Sequence, residues 1–182
     1  LEEKYPDFDG LNLMFETREG ILKHCSMKNA REMGNIGQRF IDRTQPSLEA
    51  QLTNIADEIA YNNHDVDDGL RSGLITLQQL RQVDLFDRHY FEVNARFSDL
   101  PDKRKAQETI RRIINQLVCD LIESSLNNIE HNKIIDIHDV RLSKTPIVAF
   151  SPALKKQMTE LKSFLHANLY QHEQVNKMSA NA

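Results

Sequence analysis

The sequence predicts an all-α fold, and three stretches of regular apolar spacing support this prediction. Between residues 110 and 122, isoleucine, leucine and valine recur at the i, i+3, i+4, i+7 spacing of an amphipathic helix. Similar stripes run from Leu154 to Leu169 and from Leu48 to Val66. Only residues 132–150 have some strand character, in two short apolar runs, and two short runs do not make a sheet.

Turn residues mark the ends of the first elements. Residues 1–26 are expected to open with the last turn of a helix, which ends before Pro6 because proline disfavours helical geometry in the residue before it. After Pro6 they continue as a mixed helical segment. A chain that opens inside a helix is expected to be a piece of a longer one. Residues 27–45 are polar and contain Gly34 and Gly37, so we expect a loop, a loosely helical connection or a mobile insert.

Residues 46–82 contain the best helix of the first half and a shorter helix after it. Ser47 is a suitable N-cap residue for the long helix, because its hydroxyl can accept a hydrogen bond from a free N–H group of the first turn. The helix is expected to run to about Asp68, where Gly69 offers a stop or a kink. Thr76 is suited to cap the next helix.

Residues 83–182 are expected to form a C-terminal helical region of the same domain. A helix is predicted over 84–97, a long one after Pro101, and a last one that begins at Ser151-Pro152 with a cap and a proline at its first position. The apolar stripe of the long helix is either core or an interface with a second copy of the chain.

Composition excludes several classes of protein. The 182 residues fit one domain, and the formal net charge of −4 argues against a general binder of nucleic acid or membrane surfaces, since both need a basic face. No apolar run approaches the ~18 residues of a membrane span, and no signal peptide opens the chain. Cys25 and Cys119 lie far apart, so neither a zinc site nor a disulfide framework is indicated. A cytoplasmic location is the expectation.

The long helix over 48–70 carries an unusual polar face. At about 100° per residue its core face and its polar face separate cleanly. The core face contains Leu48, Leu52, Ile55, Ile59 and Val66, and the polar face contains Asp57, Tyr61, His64, Asp65 and Asp68. A plain solvent face is one explanation, but such faces usually alternate Lys, Glu and Arg. Three aspartates on one face repel one another, and a divalent cation is the usual compensation, because such ions take carboxylate and imidazole ligands.

A resemblance to a known family rests on the block Ala-Asp-Glu-Ile-Ala-Tyr-Asn-Asn-His-Asp-Val-Asp-Asp-Gly-Leu-Arg-Ser-Gly at 56–73. With Ser47–Gln51 before it, this block resembles the signature of the bacterial deoxyguanosinetriphosphate triphosphohydrolases and their dNTPase relatives in the HD phosphohydrolase superfamily. The stretches that agree with it are Tyr5–Leu13, Glu19–His24, Arg111–Asp120, Leu161–Leu165 and Tyr170–His172. The resemblance implies a multi-helix HD-domain-like bundle that is partial, because the upstream helices with the first metal ligands are missing.

The resemblance also implies roles for three residues of the polar face. Asp57 is similar to the family's last metal ligand, and Tyr61 and Asp65 are similar to the pair that contacts the deoxyribose near its 3′-hydroxyl. The spacing of four and eight residues places all three along one side of a helix. The family's other ligands, a His and a later His-Asp pair, lie upstream, so His64-Asp65 is not that pair. Some relatives have a phosphate-binding basic residue where this chain has Glu58, so no phosphate contact is assigned there.

The implied activity is metal-dependent hydrolysis of a dNTP, with dGTP first, to a deoxynucleoside and triphosphate by attack at the α-phosphorus. The implied cofactor is a divalent metal, Mg²⁺, Mn²⁺ or a transition metal, and the implied assembly is a homo-oligomer. Because only one metal ligand is present, we expect the chain to be inactive alone. Two alternatives stay open. One is a non-catalytic regulatory or oligomerisation module derived from an HD hydrolase, and the other is an HD-type phosphodiesterase, which the sugar-binding pair Tyr61 and Asp65 disfavours.

Five further residues are secondary site candidates: Lys23, His24, His64, Asp68 and Arg71. For His24 a structural role at a helix end is the stronger expectation. Arg71 could bind a phosphate, but an ion pair with Asp67 or Asp68 is the better expectation, because residues three and four apart are neighbours on a helix.

Overall fold

A computed structural model describes residues 6–8, 10–22 and 25–172, and every regular element in these residues is a helix. The α-helices are α1 (Phe15–Ile21), α2 (Met27–Glu32), α3 (Asn35–Asp42), α4 (Leu48–Ser72), α5 (Leu77–Leu80), α6 (Asp84–Arg96), α7 (Asp102–His131), α8 (Ile137–Leu142) and α9 (Pro152–Leu165), and α9 continues into a π-helical turn (His166–Tyr170). The all-α prediction is confirmed. None of the helices described here is long and apolar enough to cross a membrane.

Several helix starts follow the predicted capping pattern. The hydroxyls of Ser47, Thr76 and Ser151 each accept a hydrogen bond from the backbone N–H three residues later. Thr76 and Gln79 form a reciprocal capping box, and Pro152 is the first residue of α9. Local sequence therefore determines where α4, α5 and α9 begin.

Residues 27–45, for which the expectations are a loop, a loosely helical connection or a mobile insert, form the two short helices α2 and α3. The Ser26 hydroxyl caps α2 by accepting a hydrogen bond from the N–H of Asn29. Gly37 lies so close to Ala30 that an added Cβ would be 1.8 Å from the Ala30 carbonyl oxygen. The two short helices therefore pack backbone to backbone through a glycine, a contact that the polar composition of this segment does not reveal.

Helix α4 passes through Gly69 without a break and ends at Ser72, so the expected stop or kink at Gly69 is absent. Gly69 instead permits close packing, since a Cβ there would lie 2.7 Å from Ile75 and 3.5 Å from Leu169. The chain leaves the helix at Gly73, whose φ of +75° is in the left-handed region that favours glycine.

The two apolar runs in 132–150 do not pair as strands, and the described part of the chain contains no β-strand. Ile137 begins α8, which is capped by the side chain of Asp136. The N–H groups of Ile147 and Val148 donate to Oε1 of Gln51 at 2.8 and 3.0 Å, so a side chain takes the place of a partner strand.

The chain divides into two compact units. Among the described residues, the first contains those up to Ile55 together with Asn127–Val148, and the second contains Ala56–Leu126 together with those from Ala149 to His172. Helices α4 and α7 each contribute residues to both units.

A buried ion network occupies the first unit. The carboxylate of Glu19 in α1 is fully buried, and Nε of Arg39 lies 2.8 Å from its Oε1. Arg141 donates to both carboxylate oxygens, at 3.0 and 3.3 Å, and the N–H of Ser47 donates to Oε2 at 3.4 Å. Burial lowers the pKa of Arg39, and the neighbouring Glu19 opposes that effect. Two arginines and a backbone N–H thus compensate one buried negative charge.

Apolar side chains from α4, α6, α7 and α9 form the core of the second unit. The buried members include Ile59, Val66, Phe86, Val93, Ile110, Ile113, Leu117, Leu121, Leu154, Met158, Leu161, Leu165 and Leu169. The stripe of α9 is thereby confirmed. The stripe of α7 is only partly core, because Val118 and Ile122 are 41% and 56% exposed.

The predicted core face of α4 is confirmed at Ile59 and Val66 and is wrong at Leu52, which is 49% exposed. The buried positions beside Leu52 are Ala50 and Gln51. At this point of α4 the inner side is taken by the Gln51 amide, which accepts the N–H groups of Ile147 and Val148, and Leu52 lies about 100° further around the helix on the exposed side.

Candidate functional site

The polar face of α4 lies in the second unit and contains the predicted site residues. Tyr61 is 64% exposed, His64 and Asp68 are exposed, and Asp57 and Asp65 are half-buried. The structure therefore places Asp57, Tyr61 and Asp65 along one side of the continuous helix α4, over about two of its turns, with the phenol open to solvent between the carboxylates.

Helix α9 and its π turn contact this face at two points. The ammonium of Lys162 lies 2.7 Å from Oε1 of Glu58, the residue after Asp57. The hydroxyl of Tyr170 donates a hydrogen bond to Oδ2 of Asp65. Sequence reasoning missed both contacts, because the partners are about a hundred positions apart. The sequence signal that marks these segments is the family resemblance at 161–165 and 170–172.

The Tyr170 phenol is a stable donor at neutral pH. Burial, and next the hydrogen bond to Asp65, raise the pKa of Tyr170 to about 12. The ring of His166 meets the ring of Tyr170 edge-on, with the centroids 6.4 Å apart. A protonated phenol next to a carboxylate fixes the direction of the bond, with the oxygen of Asp65 as acceptor.

Arg71 forms the expected ion pairs within α4. Its Nη1 lies 3.7 Å from Oδ2 of Asp67 and 3.7 Å from Oδ1 of Asp68. These pairs are exposed, and they engage the guanidinium that could otherwise bind a phosphate. Lys23 and His24, the other secondary candidates, lie outside the described residues.

Two asparagines directly after Tyr61 are buried, which sequence reasoning did not foresee. Asn62 is 6% and Asn63 is 4% exposed. The amide of Asn63 donates to the backbone carbonyl of Ile59 at 2.7 Å, which satisfies a polar group within the helix itself. Asn62 differs, because its buried Nδ2 has no hydrogen-bond partner among the described residues.

The described residues do not by themselves fit a metal ion. Within them, no three His, Cys, Asp or Glu side chains converge closely enough to bind one. Asp57 offers one carboxylate, and the adjacent carboxylate of Glu58 is paired with Lys162. A divalent cation takes several ligands at once, so we derive no chemical step through a metal from these residues.

Comparison with known proteins first defines the class. A family model described as a phosphohydrolase-associated domain matches residues 148–182, which include α9 and the π turn. Together with the all-helical fold and the polar face of α4, this match fits the HD phosphohydrolase superfamily.

Curated relatives then define the family. The deoxyguanosinetriphosphate triphosphohydrolase-like protein of Bordetella pertussis is 57% identical over 182 residues, which are all of this chain and 47% of that protein. The proteins of the same name from Thiobacillus denitrificans and Nitrosomonas europaea are 56% and 50% identical over 182 residues, with 48% of each covered. The chain belongs to the deoxyguanosinetriphosphate triphosphohydrolase-like family, and it spans about half the length of the curated relatives it matches.

Proposed function

We propose that this chain forms part of a dNTP triphosphohydrolase, which converts a dNTP and water to a deoxynucleoside and triphosphate. The main support is that relatives named for dGTP triphosphohydrolysis match all of the chain at 50% to 57% identity. Their name makes dGTP the first substrate to test. In the reaction, a water oxygen bonds to the α-phosphorus, the bond from that phosphorus to the 5′ oxygen breaks, and a proton passes to the 5′ oxygen.

In this proposal α4 lines the substrate site. Tyr61 and Asp65 bind the deoxyribose near its 3′-hydroxyl, since a phenol and a carboxylate are both suitable hydrogen-bond partners for a hydroxyl. The exposure of Tyr61 leaves its phenol open to a ligand. Asp57, one turn earlier, supplies one ligand to a divalent metal, Mg²⁺, Mn²⁺ or a transition metal, whose other ligands are not among the described residues.

A homo-oligomer and a cytoplasmic location remain predictions. One observation favours assembly: Val118, Ile122 and Leu126 are 41%, 56% and 57% exposed and recur at four-residue intervals along α7. Such a stripe costs free energy when it faces water, and a second copy of the chain would cover it. The division into HD-core segments (1–26 and 46–82), a connection (27–45) and a helical region (83–182) also remains a prediction.

The test uses the full reading frame that encodes this chain. The purified protein is incubated with each of the four dNTPs and Mg²⁺ or Mn²⁺, and triphosphate and deoxynucleoside are measured. We expect Asp57→Asn to reduce the rate on the order of 100-fold or more, because the metal loses a charged ligand. Asp99→Asn, a matched change at an exposed turn after α6, is expected to retain the wild-type rate.

Two results would overturn the proposal. One is the absence of triphosphate from all four dNTPs, and the other is a rate that survives Asp57→Asn. Release of pyrophosphate or inorganic phosphate in place of triphosphate would show hydrolysis of a phosphoanhydride and would also contradict the proposal. Hydrolysis of a phosphodiester such as bis(p-nitrophenyl) phosphate, without triphosphate from any dNTP, would favour the phosphodiesterase alternative.

The alternative is a non-catalytic helical module that kept the polar face of α4 without the metal chemistry. Calorimetric titration of the full-length protein with Mn²⁺ separates the two proposals. Binding that is lost in Asp57→Asn supports the enzyme, and a titration that is the same in both proteins supports the module.

A further inference from the structure

The π turn that ends α9 changes which side of the helix Tyr170 occupies. In an α-helix with about 100° per residue, Tyr170 would lie roughly 140° around the axis from Leu165. In the π turn the N–H of Gln171 donates to the carbonyl of His166, five residues back, so each revolution contains more residues. Tyr170 therefore returns toward the side on which the fully buried Leu165 lies.

Close approach of this segment to α4 depends on Gly69. Leu169, which is 8% exposed, lies so near Gly69 that an added Cβ would be 3.5 Å from its Cδ1. With Leu169 packed at Gly69, the next residue, Tyr170, reaches Asp65 one turn earlier on α4. A rare helical turn and a helical glycine together bring this phenol to the carboxylate, and π turns are frequent at functional sites.

The contact leaves Asp65 able to bind a second group. Tyr170 donates to Oδ2, and an ionised carboxylate has lone pairs on both oxygens, so Oδ1 can accept another hydrogen bond. A carboxylate on a helix surface otherwise rotates among several conformers. A phenol donor on one oxygen restricts that rotation and sets the direction in which the other oxygen accepts.

We propose that Tyr170 is a positioning residue for the substrate: it orients the Asp65 carboxylate so that Oδ1 accepts a hydrogen bond from the 3′-hydroxyl of the deoxyribose. This inference rests on the proposed function and makes the phosphohydrolase-associated segment a working part of the sugar site. Its specific consequence is that loss of the Tyr170 hydroxyl weakens selection for a 3′-hydroxyl on the substrate.

The experiment compares dGTP with 2′,3′-dideoxyguanosine triphosphate in the full-length protein, with kcat and KM measured for each and the binding of the dideoxy compound measured by competition. Tyr170→Phe is expected to reduce the preference for dGTP by roughly tenfold, mainly through KM, since one charge-assisted hydrogen bond loses its fixed geometry. Asp65→Asn is expected to reduce it at least as much. The double variant is expected to lose no more of the preference for dGTP than Asp65→Asn alone, because the two residues act as one unit.

Tyr90→Phe is the matched control, because its hydroxyl also donates to an aspartate, Asp102 at 3.3 Å, away from the proposed site. We expect this variant to retain the preference for dGTP. If Tyr170→Phe lowered kcat/KM equally for dGTP and for the dideoxy compound, the role of Tyr170 would be merely structural and the proposal would be overturned. The proposal would also be overturned if the double variant lost the sum of the two single-variant reductions in the preference for dGTP.

The result also separates this inference from the proposed function. If the wild-type protein hydrolyses dGTP and Tyr170→Phe keeps the full preference for a 3′-hydroxyl, only the positioning role fails. If the wild-type protein neither hydrolyses nor binds any dNTP, the proposed function fails and this inference fails with it.

Discussion

Lys162 of α9 forms an ion pair with Glu58 of α4, with 2.7 Å between the ammonium and Oε1. Glu58 directly follows Asp57, so its charge would add to that of the carboxylates on the same helix. In the proposed triphosphohydrolase, a negative residue close to the triphosphate disfavours binding unless a cation balances it. Lys162 provides that balance from the segment that matches the phosphohydrolase-associated domain.

The first prediction concerns this pair. Lys162→Met is expected to change the free energy of unfolding by less than about 1 kcal/mol, because the two side chains are 46% and 31% exposed. In the full-length protein the same change is expected to raise the KM for dGTP several-fold, since Glu58 is left unbalanced. Urea denaturation and steady-state kinetics measure the two effects. Lys156→Met is the control, because Lys156 is 80% exposed and lies 3.9 Å from Glu160 on the same helix.

The second prediction concerns the buried ion network of the first unit. Glu19→Gln is expected to reduce the free energy of unfolding by about 3–5 kcal/mol, because it leaves Arg39 and Arg141 facing each other without the carboxylate between them. Glu16→Gln, an exposed change in the same helix, is expected to cost less than about 1 kcal/mol. Urea denaturation of both variants makes the comparison, and equal stabilities would contradict the role assigned to Glu19.

The third prediction sets two helical glycines against each other. Gly20→Ala is expected to stabilise the protein by up to about 1 kcal/mol, because the nearest atom to the new Cβ is Ala50 Cβ at 3.8 Å and alanine is the better helix former. Gly37→Ala is expected to destabilise it, by about 1–3 kcal/mol or more, because the new Cβ would lie 1.8 Å from the Ala30 carbonyl oxygen. Thermal unfolding of the two variants gives the signs, and the same sign for both would refute this account of α2 and α3.

The fourth prediction concerns alkaline pH. The folded protein binds the Tyr170 proton more tightly than the unfolded chain, because the pKa is raised from 10.0 to about 12. The stability that this supplies is fully present below pH 10 and is lost as the pH rises toward about 12. The unfolding free energy of the wild type is therefore expected to fall more steeply across that window than that of Tyr170→Phe.

Absorbance of the phenolate supplies the direct measurement for this prediction. The chain has four tyrosines, and the difference between the wild-type titration and that of Tyr170→Phe isolates one of them. A difference curve centred near pH 10 would contradict the raised pKa of the partly buried phenol that donates to Asp65. It would do so whether or not the protein hydrolyses nucleotides.

Local physical chemistry explains why much of the helical framework could be predicted. The caps at Ser47, Thr76 and Ser151 and the apolar stripe of α9 depend on residues three or four positions apart, which a sequence displays directly. The ion pairs of Arg71 with Asp67 and Asp68 follow from the same spacing. By contrast, the close packing of α2 and α3 at Gly37 and the hydrogen bonds from Ile147 and Val148 to Gln51 join residues that no local pattern connects.

The sequence by itself determined that Asp57, Tyr61 and Asp65 lie along one side of a helix, because four-residue spacing and helical periodicity leave no other arrangement. The tertiary structure decided what these side chains meet. Asp65 receives the hydroxyl of Tyr170, and Glu58 receives the ammonium of Lys162, across about a hundred positions of chain. Helical spacing is a local property, whereas both contacts depend on the packing of the C-terminal helix against α4, which for Tyr170 involves the π turn and the close approach of Leu169 to Gly69.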